Sequence, residues 1–160
     1  MYKHIMARII EFNKTVSRTV TDFTYDGLPR EKLIELYRDG RISSHFEEHA
    51  IARDYILTHV GGCLDHDLVD PSDSVVKYDE KTFTKRGCDF MPSCMKGTGR
   101  KFDKETFVEK SKNLIYIIVS VVKFPEIHTR FVKGSELAGL YPNGKIPLGD
   151  HDKFFELTRQ

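Results

Sequence analysis

Asp89 and Lys96 flank Pro92-Ser93 in this 160-residue chain, and their spacing could do chemistry. If Pro92-Ser93 is a two-residue turn, Met91 pairs with Cys94 and Asp89 faces Lys96 on one side of a hairpin. A carboxylate so placed can hold a divalent cation, and a neighbouring ammonium can orient a water and steady developing charge. The plainer alternative is a cross-strand ion pair that contributes little. The segment continues as Lys-Gly-Thr-Gly-Arg-Lys, Lys96–Lys101. Its glycines let backbone amides approach an anion, and Arg100 and Lys101, with Lys85 and Arg86 nearby, offer contacts to a phosphate backbone. The spacing and closing Lys-Ser/Thr of a nucleotide-binding P-loop are absent.

A second chemistry would be zinc. Cys63-x-x-His66 and Cys88-x5-Cys94 supply ligand types that zinc accepts. Neither pair has a Cys-x2-Cys knuckle, so free thiols are the favoured reading. His45 and His49 stand one helical turn apart without a third ligand, which favours partly buried or capping roles. Neither a Gly-x-Ser-x-Gly elbow nor a dinucleotide fingerprint occurs.

These groups need elements to position them. Val and Thr in Ile5–Thr24 lean toward strand. Pro29 opens a helix that Gly40 stops. Ser44 with Glu47 has the spacing of a capping box for a second helix ending at Gly61-Gly62, with Phe46, Ala50, Leu57 and Val60 on one face. Asp65–Asp73 reads as a polar loop. Ser74–Tyr78 and Thr82–Lys85 read as strands around a turn at Asp79-Glu80-Lys81. Asp103 is suited to cap a helix through about Asn113, with Phe107 and Ser111 inward. Ile115–Lys123 is apolar on both faces, as a central strand should be. Ile127–Val132 is another strand, Ser135 caps a short helix, Asn143-Gly144 marks a turn, and Phe154, Phe155 and Leu157 dock a C-terminal helix. The pattern predicts one α+β domain over residues 1–160, a central mixed β-sheet flanked by helices.

Composition narrows the function class. Hydrophobic residues at 39% and charged residues at 31% are a globular balance. Leu114–Val122, the longest apolar run, is too short to span a bilayer, so no membrane partner is expected. The N-terminal stretch lacks a secretory core, and three cysteines do not make a disulfide framework, so a cytoplasmic, reducing location is expected. Net charge is only +1, but it is unevenly spread. Asp22–Asp73 carries five Lys/Arg against twelve Asp/Glu, and Lys77–Lys112 carries ten against six. The latter gives a polyanion somewhere to dock.

The order of elements, with an acid and a lysine on neighbouring strands, resembles the PD-(D/E)xK nuclease superfamily over roughly residues 43–132, with N- and C-terminal helical additions. That family's usual motif sets an acid two positions before the lysine. With Lys96 as the lysine, Cys94 stands there. Some restriction endonucleases of the superfamily move this acid to the next helix, and Glu109, thirteen positions after Lys96, resembles that arrangement. The family also often places a glutamate on the preceding helix, which Glu47 or Glu48 would supply. The strand aspartate would be Asp89 or Asp79. Asp65-His66 also resembles the start of the ββα-metal nucleases, without their later asparagine and histidine.

The first resemblance implies an endodeoxyribonuclease, of restriction or mobile-element type, dependent on Mg²⁺ or Mn²⁺. Asp89, Glu109 and Glu48 would hold the metal, with Lys96 and Asp79 also in the catalytic set. Double-stranded DNA would be the substrate, and a homodimer would cut both strands. The alternatives are a non-catalytic nucleic-acid-binding module, suggested by the Pro29–Val60 helix pair, and a zinc-stabilised interaction module.

Overall fold

The computed structural model describes residues 6–62 and 65–157. Through them run β1 (Thr15–Thr19), α1 (Arg30–Arg38), α2 (Ser43–Tyr55), β2 (Thr58–His59), β3 (Leu68–Asp70) and β4 (Asp73–Phe83). There follow β5 (Cys88–Asp89), a 3-10 turn at Ser93–Met95, α3 (Lys104–Lys112), β6 (Leu114–Ser120) and β7 (Glu126–Lys133). The chain closes with α4 (Gly134–Leu140), β8 (Lys145–Ile146), a 3-10 turn at Leu148–Asp150 and α5 (His151–Phe154). The fold is α+β, with a six-stranded mixed sheet ordered β1-β7-β6-β4-β3-β2 and helices on both faces. Among the described residues no helix is long and apolar enough to cross a membrane.

β6 is the pivot. Tyr116 and Ile118 enter one core layer with Phe83, Phe90, Phe107, Phe154 and Phe155, while Ile117 and Val119 enter the other with Tyr37, Ile51, Leu68, Tyr78 and Phe131. A strand apolar at consecutive positions has to be covered on both sides, and α3–α5 cover one face while α1 and α2 cover the other. β4 runs parallel to β6 from Lys77↔Leu114 to Phe83↔Ser120, and α3 belongs to the connection between them. The Asp103 carboxylate accepts the Thr106 amide at 2.8 Å, so the expected cap of α3 is present, with Phe107 and Ser111 buried beneath it.

The structure corrects several of the expected elements. Asp79-Glu80-Lys81 is no turn: it lies inside the eleven-residue strand β4, where β6 pairs along one side and β3 along part of the other. Pro92-Ser93 makes no hairpin, because β5 pairs with β8 (Asp89↔Lys145) and Ser93 begins a 3-10 turn. The Asp65–Asp73 segment is not all loop, since it contains β3. Ser44 makes no capping box: α2 starts at Ser43, its N-terminus has no side-chain cap, and Glu47 turns inward.

The inward stripe of α2 is Ser43, Glu47 and Ile51, one per turn, while Phe46 is left 54% exposed. Glu47 is tolerated there because Arg18 Nη2 donates to its Oε2 at 2.5 Å and the Tyr37 hydroxyl donates to its Oε1. α2 also stops at Ile56, well before Gly61-Gly62, leaving room for β2. Gly40, at φ +92°, has a functional consequence: a Cβ there would meet Thr84 Cγ2 at 2.6 Å, so glycine lets the α1–α2 turn lie against the end of β4.

Candidate functional site

Where that turn meets β4, an open groove of about 570 Å³ is formed. Glu48 reaches it from α2, Asp67 is the residue before β3, and Glu80 and Thr82 come from the C-terminal half of β4. Asp89 of β5 lines its far end, and Arg41, Lys81, Arg86 and Lys145 supply positive charge. Side chains alternate along a strand, so Glu80 and Thr82 share the α1–α2 side with Tyr78, while Asp79 points to the α3–α5 side with Phe83. The Glu80 amide donates to Asp67 Oδ2 at 2.9 Å, which ties the start of β3 to β4 at the site.

The two adjacent acids of β4 have different surroundings. Asp79 Oδ2 lies 3.0 Å from Lys81 Nζ. Burial still pushes the Asp79 carboxyl up, to about 7, against the pull of Lys81 and with the help of the Asp67 charge. Glu80 has no cationic partner among the described residues within ion-pair range; its one side-chain hydrogen bond comes from Thr82 Oγ1, at 2.8 Å. Burial raises its carboxyl well above the usual range, and Glu48 and Asp67 raise it further. A buried acid beside two others is more stable as the neutral carboxyl unless a cation offsets its charge.

The donor set is all hard oxygen, which suits Mg²⁺ or Mn²⁺. Among the described residues no three of His, Cys, Asp and Glu converge tightly enough to cage a metal. Mg²⁺ does not need such a cage, since it is commonly held by one or two carboxylates with water and substrate phosphate completing the shell.

The residues singled out from sequence are brought together only in part. Glu48 and Asp89 both line the groove. Glu48 Oε2 lies 2.9 Å from His59 Nε2, and His59 stacks on His49 at 4.3 Å. Asp89 Oδ1 lies 3.1 Å from Lys96 Nζ, so that expected pair forms, although no hairpin makes it. Glu109 is exposed, pairs with Lys112 at 3.0 Å, and does not line the groove. Asp79 opens instead into a cavity of about 210 Å³ on the opposite face, beside Lys77, Lys110 and Tyr116. Glu47 is committed to the core.

Of the basic residues, Arg86 lines the groove, and with Lys85 it also lines an adjoining cleft beside α1. Arg100 Nη1 donates to the Ser93 carbonyl at 2.8 Å, and Lys101 is exposed. For zinc, Cys88 is fully buried, Cys94 is exposed with Lys110 Nζ 3.5 Å from its Sγ, and Cys63 lies outside the described residues.

Asp67 and Glu80 were missed. A signal was present: the polar stretch before β4 contained an acid thirteen positions ahead of another acid on an extended segment. Residues 79–81 have the composition of a turn but lie inside β4, which is what places Glu80 opposite Asp67. The motif spacing of an acid two positions before a lysine is also present as Asp79-Glu80-Lys81: Asp79 and Lys81 share one face of β4, lie 3.0 Å apart and sit beside Asp67, whose charge helps raise the Asp79 carboxyl.

No protein-family model, no curated protein and no solved structure matches this chain.

Proposed function

We propose that the groove is the active site of a divalent-metal-dependent phosphodiesterase acting on nucleic acid, with DNA as the substrate to test first. The observation that carries the reading is that Glu48, Asp67 and Glu80, from three parts of the fold, line one open groove, where Glu80 forms no ion pair among the described residues. This keeps the expected reaction and replaces most of the expected residues.

Asp67 and Glu80, with Glu48 beside them, would hold the cation. When bound, it would polarise the scissile phosphate and favour ionisation of an attacking water. The remaining roles fall to the chain itself. Arg41, Arg86 and Lys145 border the acids and would hold flanking phosphates, positioning the strand without reading its sequence. Thr82 fixes the Glu80 carboxyl through their hydrogen bond, and the Asp67–Glu80 amide bond fixes the spacing of the two acids. Lys81 borders the groove as well, with its ammonium paired to Asp79. Cleavage of both strands of a duplex would require a second copy.

The deciding experiment incubates supercoiled plasmid with the protein in Mg²⁺, Mn²⁺ or EDTA, alongside Glu80→Gln. Nicking that needs the metal and disappears in the variant supports the reading. Salt-sensitive DNA binding with no nicking in any metal would overturn it and favour a binding module.

A further inference from the structure

The face of the sheet beneath α5 carries a polar row that the groove does not use. Ser17 of β1 and Ser120 of β6 stand directly opposite His128 of β7, one on each side of it. His151 of α5 lies over this row, and both imidazoles are buried. Their ring centres are 6.3 Å apart, with Phe155 packed against both.

The hydrogen bonds around the two rings suit neutral imidazoles. The Val122 amide donates to Ser120 Oγ at 3.3 Å, which directs the Ser120 hydroxyl proton to His151 Nε2, 2.6 Å away. His151 Nδ1–H is then left to donate to Asp152 Oδ1 at 2.8 Å. His128 Nδ1 lies 2.7 Å from Ser17 Oγ. Its Nε2 is enclosed with no hydrogen bond among the described residues, because Glu126 Oε1, although 2.9 Å away, lies off the line of one. A proton on both nitrogens of this ring would be a buried charge poorly served by its neighbours. The charged groups around His128 are Glu126 and Arg130 of β7, Lys123 of the β6–β7 turn, and His151, Asp152 and Glu156 of the C-terminal segment. β1 adds only hydroxyl groups on this face, since its Arg18 turns to Glu47 on the other. Burial holds the His128 imidazole below the ordinary histidine range, helped by His151 and Lys123 and opposed by Glu126 and Asp152.

The attachment of α5 matters to the groove through the chain that leads into it. Residues 145–157 run from β8 through the 3-10 turn at Leu148–Asp150 into α5 and just past it. β8 pairs with β5 through Asp89↔Lys145, and both of these residues line the groove. α5 has only four residues and depends on its contacts to stay helical. Beside the His151–Ser120 bond, Asp152 pairs with Lys123 at 3.2 Å, the Phe155 carbonyl accepts from Thr15 Oγ1 at 2.8 Å, and the Phe154 carbonyl accepts from Arg130.

We propose that residues 145–157 form an acid-sensitive strap: protonation of His128 frees α5 from the sheet and loosens β8 with it, which withdraws Lys145 from the groove and leaves Asp89 unbraced. Because the closed state holds His128 neutral, closure is favoured above the ordinary histidine range, about pH 6.5, and weakens as pH falls through and below it. The β4–β6–β7 ladder contains no residue of the strap and stays folded. Control of activity by the strap rests on the phosphodiesterase reading; release of the strap does not.

Hydrogen exchange read by mass spectrometry, corrected for the intrinsic effect of pH, tests this on the full chain without metal at about pH 7.5 and 5.5. Protection over residues 145–157 should fall about tenfold at the lower pH while β4 and β6 stay protected. His128→Gln, with circular dichroism as its folding control, should hold the strap's protection constant. NMR titration of the His128 ring in the wild type needs no variant, and its midpoint should coincide with the loss of strap protection. Protection indifferent to pH, an equal loss in folded His128→Gln, a His128 midpoint apart from strap opening, or simultaneous loss across β4 and β6 would each overturn the inference. Strap release in a protein that nicks no plasmid in any metal would remove the phosphodiesterase reading and leave the strap standing; metal-dependent nicking with a strap closed at both pH values would do the reverse.

Discussion

The backbone amide of Glu80 donates to the carboxylate of Asp67 across 2.9 Å, and thirteen residues of intervening chain fold so that these two acids border one groove. Asp67 is thereby held by a backbone contact, with the Asp79 carboxyl beside it. Glu80 is held by Thr82 and by burial. A pair of acids fixed in this way needs little reorganisation to accept a cation.

Removing either acid should therefore stop catalysis without unfolding the protein. Asp67→Asn and Glu80→Gln are each expected to lower metal-dependent nicking by about a hundredfold or more, the equivalent of roughly 2.7 kcal/mol in barrier. Glu109→Gln, at an exposed ion pair outside the groove, should stay near wild-type activity. Initial nicking rates on plasmid, with circular dichroism as the folding control, measure all three. Loss of activity in Glu109→Gln with retention in Glu80→Gln would return the site to the helix-borne acid.

Glu80→Gln should also make the protein more stable at alkaline pH. The folded state raises the Glu80 carboxyl well above its ordinary range, so it binds a proton that the unfolded chain has already released. Stability contributed by this group is greatest in acid and falls as pH climbs from the ordinary glutamate range toward the raised folded value. A neutral amide of the same shape removes that slope. The variant's melting temperature should exceed wild type at pH 8, by the equivalent of on the order of 1–3 kcal/mol for relieving an unpaired buried group, and the gap should close by pH 4. Thermal melts across that range are the measurement.

Much of the fold was legible, for local reasons. The apolar run at Leu114–Ser120 had to be a doubly covered strand, and Asp103 could cap only the helix that follows it. β4 was legible at its two ends but not across Asp79-Glu80-Lys81, because three consecutive charged residues look like a turn until strands on its flanks satisfy their backbone. The choice between Glu47 and Glu48 was open for the same reason. They differ by one position, or about 100° around the helix, and what draws Glu47 inward is Arg18, twenty-nine residues away, and Tyr37, ten away. Asp89 kept its partner Lys96 while losing the predicted hairpin, since Lys145 of β8 competes for the strand. The site depends on contacts between distant segments, and periodicity carries no information about those.

A divalent cation should stabilise the folded protein, more strongly at high pH. Mg²⁺ or Mn²⁺ at ten times its dissociation constant contributes roughly 1.4 kcal/mol, or on the order of 4 °C in melting temperature for a chain of this size. Protons compete for the same oxygens, so the shift should be largest at pH 8 and vanish near pH 5. EDTA should abolish it, and Glu80→Gln should remove most of it. An undiminished shift in that variant would place the cation elsewhere.

Glu47 and Glu48 provide the clearest contrast between structure and function. Glu47 is 2% exposed and accepts from both Arg18 and Tyr37. Glu47→Ala leaves the buried end of Arg18 and the Tyr37 hydroxyl without their acceptor, and truncating one partner of a buried pair costs about 3–5 kcal/mol. Among the described residues the ion-pair partner of Glu48 is His59, at the groove wall, so Glu48→Ala should cost less stability than Glu47→Ala while cutting nicking and the cation-induced rise in melting temperature. Urea denaturation and plasmid nicking on the two variants should give opposite orders, with Glu47→Ala the less stable and Glu48→Ala the less active at a temperature where both are folded. Equal instability would mean that Glu48 is a structural residue and that the groove depends on Asp67 and Glu80 alone.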